Sequence, residues 1–99
     1  MNFVHGGVEE QARRAMQNIE NILKTSGMDF GAVIKTTILL ADMNDFAAIN
    51  RVYEEFLGDH KPARSAFQVA GIPKGGRVEI DAVAVAGAFF LKSTFLDFI

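Results

Sequence analysis

The stretch VIKTTILLA, residues 33–41, decides the fold that this sequence predicts. It is β-branched and apolar almost throughout, with Lys35 as its one charged residue, and such a run is typical of a strand buried on both faces of a sheet. Upstream of it, apolar residues recur every three or four positions from Val8 onward, which predicts an amphipathic helix that stops at Gly27. The run therefore predicts a central strand that follows a packed helix.

A second helix is predicted directly after this strand. Asn44 and Asp45 offer side-chain oxygens that cap a helix start, and Gly58 supplies the stop. Between them, apolar side chains again share one face: Phe46, Ile49, Val52, Tyr53 and Phe56. Because Asp42, Asn44 and Asp45 lack the glycine and distal glutamate of a calcium loop, helix capping explains them better than a metal does.

Two more strands are predicted after Pro62, which cannot occupy a helix interior. The first runs from about residue 65 to 70, the sequence Pro73-Lys-Gly-Gly predicts a turn, and the second runs from residue 77 to about 86. This order of elements predicts an α+β domain. Three strands are few for a sheet that covers two helices, so we expect further strands or a partner at its edges.

Composition limits the classes of function. The chain has 99 residues, of which 49% are apolar and 22% charged, as expected of a single folded domain over residues 1–99. Its net charge of −2 and scattered cations make nucleic acid and membrane unexpected partners. The absence of cysteine excludes thiolate zinc sites. Residues 1–7 show no basic region followed by an apolar run, and no stretch approaches 18 apolar residues, so neither a signal sequence nor a membrane span is expected. We expect a soluble protein of the cytoplasm, with the mitochondrial matrix as the alternative.

Charged residues alternate along the last predicted strand, where Arg77, Glu79 and Asp81 should share one face. If this strand pairs antiparallel with the previous one about the turn at residues 73–76, Arg64 and Glu79 meet at one end of the sheet. A guanidinium binds a carboxylate through two parallel hydrogen bonds, and a glutamate is able to deprotonate water. On spacing alone, a structural salt bridge between Arg64 and Glu79 is favoured over a site.

Several segments resemble the signature of the reactive-intermediate deaminase family, also called the YjgF or L-PSP family. They are Pro62-Ala-Arg-Ser65, the apolar Phe67 and Val78-Glu-Ile80, preceded in the family's order by GGVEEQ, VIKTT and ADMNDF. The resemblance covers residues 6–86. It implies a chorismate-mutase-like α+β fold, with a mixed sheet packed on two helices, and a homotrimer with a ligand cleft at each subunit interface.

The resemblance also implies an activity and its residues. The chain would be a 2-iminobutanoate/2-iminopropanoate deaminase, which hydrolyses 2-imino or 2-enamino acids to 2-keto acids and ammonia without metal or cofactor. Arg64 would clamp the substrate carboxylate, and Glu79 would hold and activate the attacking water. Asn50 would lie near the cleft, although a solvated or capping amide is equally expected there. Phe67 is either a core residue or a wall of the cleft.

Both ends of the chain depart from the family. Family members begin with a further N-terminal part that includes Gly-Pro-Tyr-Ser-Gln and Ser-Gly-Gln segments, and neither segment occurs in this sequence. We therefore expect an N-terminally shortened fold. Residues 87–99 form a divergent, Phe-rich tail that is too apolar to remain in water. We expect this tail to fill the space that the lost strands leave.

Two classes of function remain open. The first is the imine hydrolase, and the second is a non-catalytic protein that binds small carboxylates or interacts through the same scaffold. A ribonuclease ranks last because the chain is acidic and lacks a basic-aromatic stripe. His5 and His60 are isolated from other ligands, so no metal site is expected. Lys35 should simply contact solvent at a sheet end.

Overall fold

The computed structural model describes residues 7–85 and 89–94, the latter as a backbone trace. Two helices and four strands make up the domain: α1 (Val8–Thr25), β1 (Val33–Leu40), α2 (Phe46–Leu57), β2 (Ala63–Gln68), β3 (Val78–Ala84) and β4 (Phe89–Thr94). Short 3₁₀ turns occupy Phe30–Ala32, Met43–Asp45 and Pro73–Gly75. The predicted order of helix, strand, helix, strand, strand is confirmed, and a fourth strand follows it.

The four strands form one mixed sheet in the order β2-β1-β3-β4. β1 pairs with β2 in parallel, with Thr36 opposite Arg64. It pairs with β3 in antiparallel fashion, with Leu39 opposite Glu79, and β3 pairs in antiparallel fashion with β4. The prediction that residues 33–41 form a central strand is thus confirmed.

The predicted antiparallel pairing of the two strands that flank the turn at residues 73–76 is wrong. β2 and β3 lie on opposite sides of β1, because the α2 crossover delivers β2 parallel to one edge of β1 and leaves the other edge for β3. The turn itself is present, with Lys74 and Gly75 at φ of 58° and 74°. It carries the chain across the end of β1, where the Ala41 N–H donates to the carbonyl of Arg77 at 3.0 Å.

Both helices cover the same face of the sheet, which we call the helix face. The inward residues of the two middle strands are buried there with the apolar stripes of both helices, and the largest of them are Met16, Ile19, Leu23, Ile38, Leu40, Ile49, Ile80, Val33, Val52 and Val78. The other face, here the open face, is only partly covered: Lys35 is exposed, and Thr37 and Leu39 are half-buried. The expectation that this strand is buried on both faces is therefore wrong, because the helices shield one side only.

The predicted helix stops are confirmed, whereas the predicted caps at Asn44 and Asp45 are not. Gly27 follows α1 with φ of 75°, and Gly58 closes α2 with φ of 58°. At the start of α2, however, Asp45 makes no capping bond. The cap oxygen comes from Asp42, which accepts from the Asn44 N–H at 2.9 Å in the 3₁₀ turn before the helix.

The C-terminal tail contributes β4, which pairs with the edge of β3 from Ala84↔Phe89 to Glu79↔Thr94. Residues 95–99 lie outside the described residues, as does His5. That the tail replaces lost strands therefore stays a prediction. No helix in the described part of the chain is long and apolar enough to cross a membrane.

Candidate active site

Arg64 lies on β2, an end strand of the described sheet, and reaches across to α2. Its Nη1 donates to Oδ1 of Asn50 at 2.5 Å. Its Cζ lies 5.0 Å from the centre of the Tyr53 ring and 5.3 Å from that of Phe46, within the range of cation–π attraction. The guanidinium therefore has an amide on one side and two aromatic rings beside it.

The sequence of α2 explains why these three partners meet. Phe46, Asn50 and Tyr53 are separated by four and three residues, so they project from one face of the helix. The Tyr53 hydroxyl is hydrogen-bonded to Oγ1 of Thr36 on β1 at 2.7 Å, and both groups are buried. The family resemblance implies that Asn50 lies near the cleft, and the structure places it in hydrogen-bonding contact with Arg64. Its part in ligand binding stays a prediction.

A pocket of about 270 Å³ lies beside Arg64. Its lining comes from the end of α2, the following loop and the start of β2: Tyr53, Glu54, Leu57, His60, Lys61, Pro62 and Arg64. His60 Nε2 lies 2.6 Å from the Val33 carbonyl, a hydrogen bond that ties the loop to β1. The lining is mixed: Arg64 and Lys61 bring positive charge, and Glu54 brings one carboxylate. Two cations in a space of this size suit a small carboxylate with a short side chain.

Glu79 lies on β3 and belongs to the open face. It is only 7% exposed and stands in a row with Leu39 of β1 and Phe67 of β2, which are register partners. Phe67 is 55% exposed at the end of this row. Phe67 is therefore a surface residue of the open face in one copy of the chain and not a core residue.

Arg64 and Glu79 lie on opposite faces of the sheet. Arg64 is in register with Thr36, whose side chain meets α2, whereas Glu79 is in register with Leu39. Thr36 and Leu39 are an odd number of positions apart on one strand, so their side chains point in opposite directions. Within one copy the guanidinium and the carboxylate do not converge, and the structural salt bridge between them is also wrong.

The prediction that Arg77 shares a face with Glu79 and Asp81 is wrong as well. Arg77 precedes β3, so the alternation of the strand does not include it. Its Nη2 donates to both carboxylate oxygens of Asp45 at 2.9 Å, and its backbone N–H donates to Oε1 of Gln11 at 2.9 Å. Arg77 therefore fastens the start of β3 to the helix side of the domain.

Comparison with known proteins places this arrangement in a family. The family model named Endoribonuclease L-PSP matches residues 1–86. The chain belongs to the L-PSP family. It is 57% identical over 85 residues to a goat protein and 54% identical over 87 residues to a mouse protein, each named 2-iminobutanoate/2-iminopropanoate deaminase. These matches cover 86% and 88% of this chain, but 62% and 64% of the relatives, so the chain spans less than two-thirds of their length.

Solved structures of L-PSP relatives have the same fold. A putative endoribonuclease from Thermotoga maritima superposes with a TM-score of 0.82 at 38% identity, covering 85% of this chain and 66% of that one. TdcF of E. coli, solved with bound serine, superposes with a TM-score of 0.78 at 41% identity, covering 83% and 67%. The predicted family and its α+β fold are thereby confirmed.

Sequence reasoning missed three residues that organise this L-PSP chain. Gln11 is a buried amide within the apolar stripe of α1, which was the available signal that it has a specific partner. Thr36 and Tyr53 were assigned to a strand and a helix face, and only the packing of β1 against α2 reveals their bond.

Lys35 donates to Oγ1 of Thr37 at 3.2 Å on the open face. No group of three potential metal ligands occurs within residues 7–85 or 89–94.

Proposed function

We propose that this chain hydrolyses 2-imino and 2-enamino acids to 2-keto acids and ammonia, at sites shared between copies of itself. The names of the mammalian relatives support the reaction class. The pocket beside Arg64 supports a substrate that has a carboxylate and a short side chain. Arg64 binds that carboxylate, and Glu79 activates the attacking water.

The proposal of a shared site is supported by the placement of Arg64 and Glu79 on opposite faces of one sheet. Both groups reach one substrate if Arg64 belongs to one copy and Glu79 to its neighbour. The partly covered open face, with Phe67 exposed at its margin, supports such an association. We propose a homotrimer, in which each neighbouring pair of copies forms one site.

The donors of Arg64 fit this role. A guanidinium has five N–H groups in a planar fork, and Asn50 engages Nη1. The Nη2 and Nε groups together form a second edge that matches the two oxygens of a carboxylate. Asn50 thus orients the cation without occupying its whole donor set.

A 2-enamino acid first becomes the 2-imino acid by a net shift of one proton from nitrogen to C3. The chemistry of the imine then balances with water as the only co-reactant. Glu79 accepts a proton from water while the water oxygen bonds to the imine carbon, and the electrons of the C=N π bond move to nitrogen, which takes up a proton. In the resulting carbinolamine, the nitrogen is protonated again and the hydroxyl loses its proton. The C–N bond then breaks, so that ammonia leaves and the carbonyl forms.

A second candidate function is small-carboxylate binding without catalysis. Arg64, Asn50 and the neighbouring pocket all belong to a single copy, so this half of the site needs no association. RNA cleavage, which the name of the family model suggests, is not favoured, because a net charge of −2 provides no general attraction for phosphate.

Mixing two inactive variants tests the shared site. Arg64→Ala and Glu79→Gln should each lose turnover of freshly generated 2-iminobutanoate, measured as ammonia release. The two variants are then mixed in equal amounts, unfolded together and refolded, so that copies assemble at random. About a quarter of the neighbouring pairs then combine a native Arg64 with a native Glu79, so about a quarter of wild-type activity should return. Refolded wild type is the control. Loss of activity in both variants with no recovery on mixing would place both groups in one copy, and wild-type turnover in either variant would refute the assigned roles.

A further inference from the structure

We propose that Tyr53 is a positioning residue: its ring, anchored through Thr36, holds the Arg64 guanidinium in the orientation that receives a carboxylate. The expected changes in ligand affinity and KM rest on the proposed function, whereas the orientation of the guanidinium does not. Helical spacing had placed Tyr53 only among the apolar residues of α2.

The anchor is a hydrogen bond in the protein interior. Tyr53 is 5% exposed and Thr36 is 3% exposed, and their hydroxyl oxygens lie 2.7 Å apart. A buried hydroxyl that loses its partner is unfavourable, so each group holds the other in place. Because Thr36 belongs to the central strand β1, the Tyr53 ring is fixed relative to the middle of the sheet.

Arg64 needs such a support because of where it lies. It is an exposed residue on an end strand, and a long side chain in that setting has many rotamers. Immobilising it when a ligand binds would weaken affinity, and the cost is smaller if the side chain is already ordered. The rings of Tyr53 and Phe46, with Asn50 at Nη1, provide that order before the ligand arrives.

Tyr53 also borders the pocket, which links the support to ligand binding. The ring and Arg64 both contribute to its lining. A shift of the ring would therefore change the guanidinium and the adjacent wall together. Phe56 offers a matched control, since it lies on the same helix, is partly buried and packs edge-on against Phe30 with ring centres 6.0 Å apart.

The decisive experiment compares Tyr53→Leu with Phe56→Leu. We expect Tyr53→Leu to weaken binding of 2-oxobutanoate about tenfold, and to raise the KM for 2-iminobutanoate by a similar factor while kcat changes less than about twofold. Phe56→Leu should lower thermal stability without changing Kd or KM. Equal Kd values for folded Tyr53→Leu and wild type would overturn the inference, as would an equal loss of affinity in Phe56→Leu.

Milder variants keep the test valid if Tyr53→Leu does not fold. Tyr53→Phe and Thr36→Val each remove the anchoring bond, so each should weaken 2-oxobutanoate binding about threefold, and the double variant should be no weaker than either single one. Wild-type affinity in both single variants, or a double effect equal to the product of the single effects, would contradict an anchor made by this one bond.

A ligand-free measurement separates this inference from the proposed function. Ring currents from Tyr53 and Phe46 should displace the Arg64 side-chain proton resonances of the wild-type protein in NMR spectra. The Tyr53→Leu variant, or the double variant that combines Tyr53→Phe with Thr36→Val, should change that displacement more than Phe56→Leu does. If wild type neither binds 2-oxobutanoate nor releases ammonia, the proposed function fails, and the displaced resonances still establish the held guanidinium. Undisplaced Arg64 resonances in wild type would refute the positioning role whatever the activity.

Discussion

The two faces of the sheet differ in what completes them. On the helix face, Leu40 and Ile80 are 0% exposed, because both helices of the same copy pack over them. On the open face, Leu39 is half-buried and Phe67 is mostly exposed, with the carboxylate of Glu79 in the same row. One face is covered within a single copy, whereas the other leaves apolar surface at Leu39 and Phe67 exposed to solvent.

This difference separates stability from the proposed chemistry. Substitutions on the helix face should act mainly through the free energy of unfolding of each copy. Substitutions on the open face should act mainly through association and turnover. The partners of Arg64 are an exception, because they belong to the helix face and still shape the site. Three stability measurements test this difference between the two faces.

The largest effect is expected for Leu40→Ala compared with Leu39→Ala. These neighbours on β1 have the same side chain on opposite faces. Truncating a fully buried leucine costs about 3–4 kcal/mol, whereas Leu39→Ala should cost about 1 kcal/mol or less in the dissociated chain. Urea unfolding at low protein concentration measures both. Similar losses at the two positions would mean that the open face is covered within one copy.

A smaller effect is expected for Gln11→Met, which removes the acceptor for the Arg77 N–H. An unsatisfied partly buried donor costs about 1–2 kcal/mol of unfolding free energy. Gln17→Met is the matched control, because Gln17 lies on the exposed side of the same helix. Chemical denaturation of both variants should show the loss only for Gln11. An equal change in Gln17→Met would indicate that side-chain hydrophobicity, and not the bond, is responsible.

The smallest effect concerns the outer surface of the helix layer, where Arg13 donates to Glu55 at 2.6 Å. This hydrogen bond lowers the pKa of Glu55 below its usual value. The folded-state pKa is depressed, so the stabilisation is present above the ordinary glutamate pKa of about 4.3 and is lost as the pH falls through the lower folded-state value. Wild type should be slightly more stable than Glu55→Gln at pH 7, and thermal unfolding in acid should show no difference. A difference that persists in strong acid would contradict this origin.

The helices and their C-terminal ends could be predicted because local physics decides them. The apolar period of α1 and the positive φ required at Gly27 and Gly58 are properties of short segments. The partner of β2 could not be predicted in this way. A turn at residues 73–76 is compatible with a hairpin and with a chain that crosses to the far side of β1, and the choice depends on contacts made by α2.

The site was predicted in parts for the same reason. The family resemblance suggested Arg64, Glu79 and Asn50 as residues of the cleft, and the structure brings Asn50 to Arg64. The sequence could not reveal that Arg64 and Glu79 lie on opposite faces, since face depends on register and a one-residue change of register reverses it. Nor could it pair Thr36 with Tyr53, because the bond joins two elements whose separate patterns already accounted for both residues.

The place of β1 in the middle of the sheet also has a consequence for how the chain folds. Its ladder partners come late in the sequence: Lys35 pairs with Ala63, and Thr37 with Asp81. Such non-local pairing slows folding, because long loops must close before the hydrogen bonds form. During synthesis, the apolar run of β1 therefore emerges well before both of its neighbours. Until β3 docks, this run keeps an unpaired edge that favours association with other nascent chains.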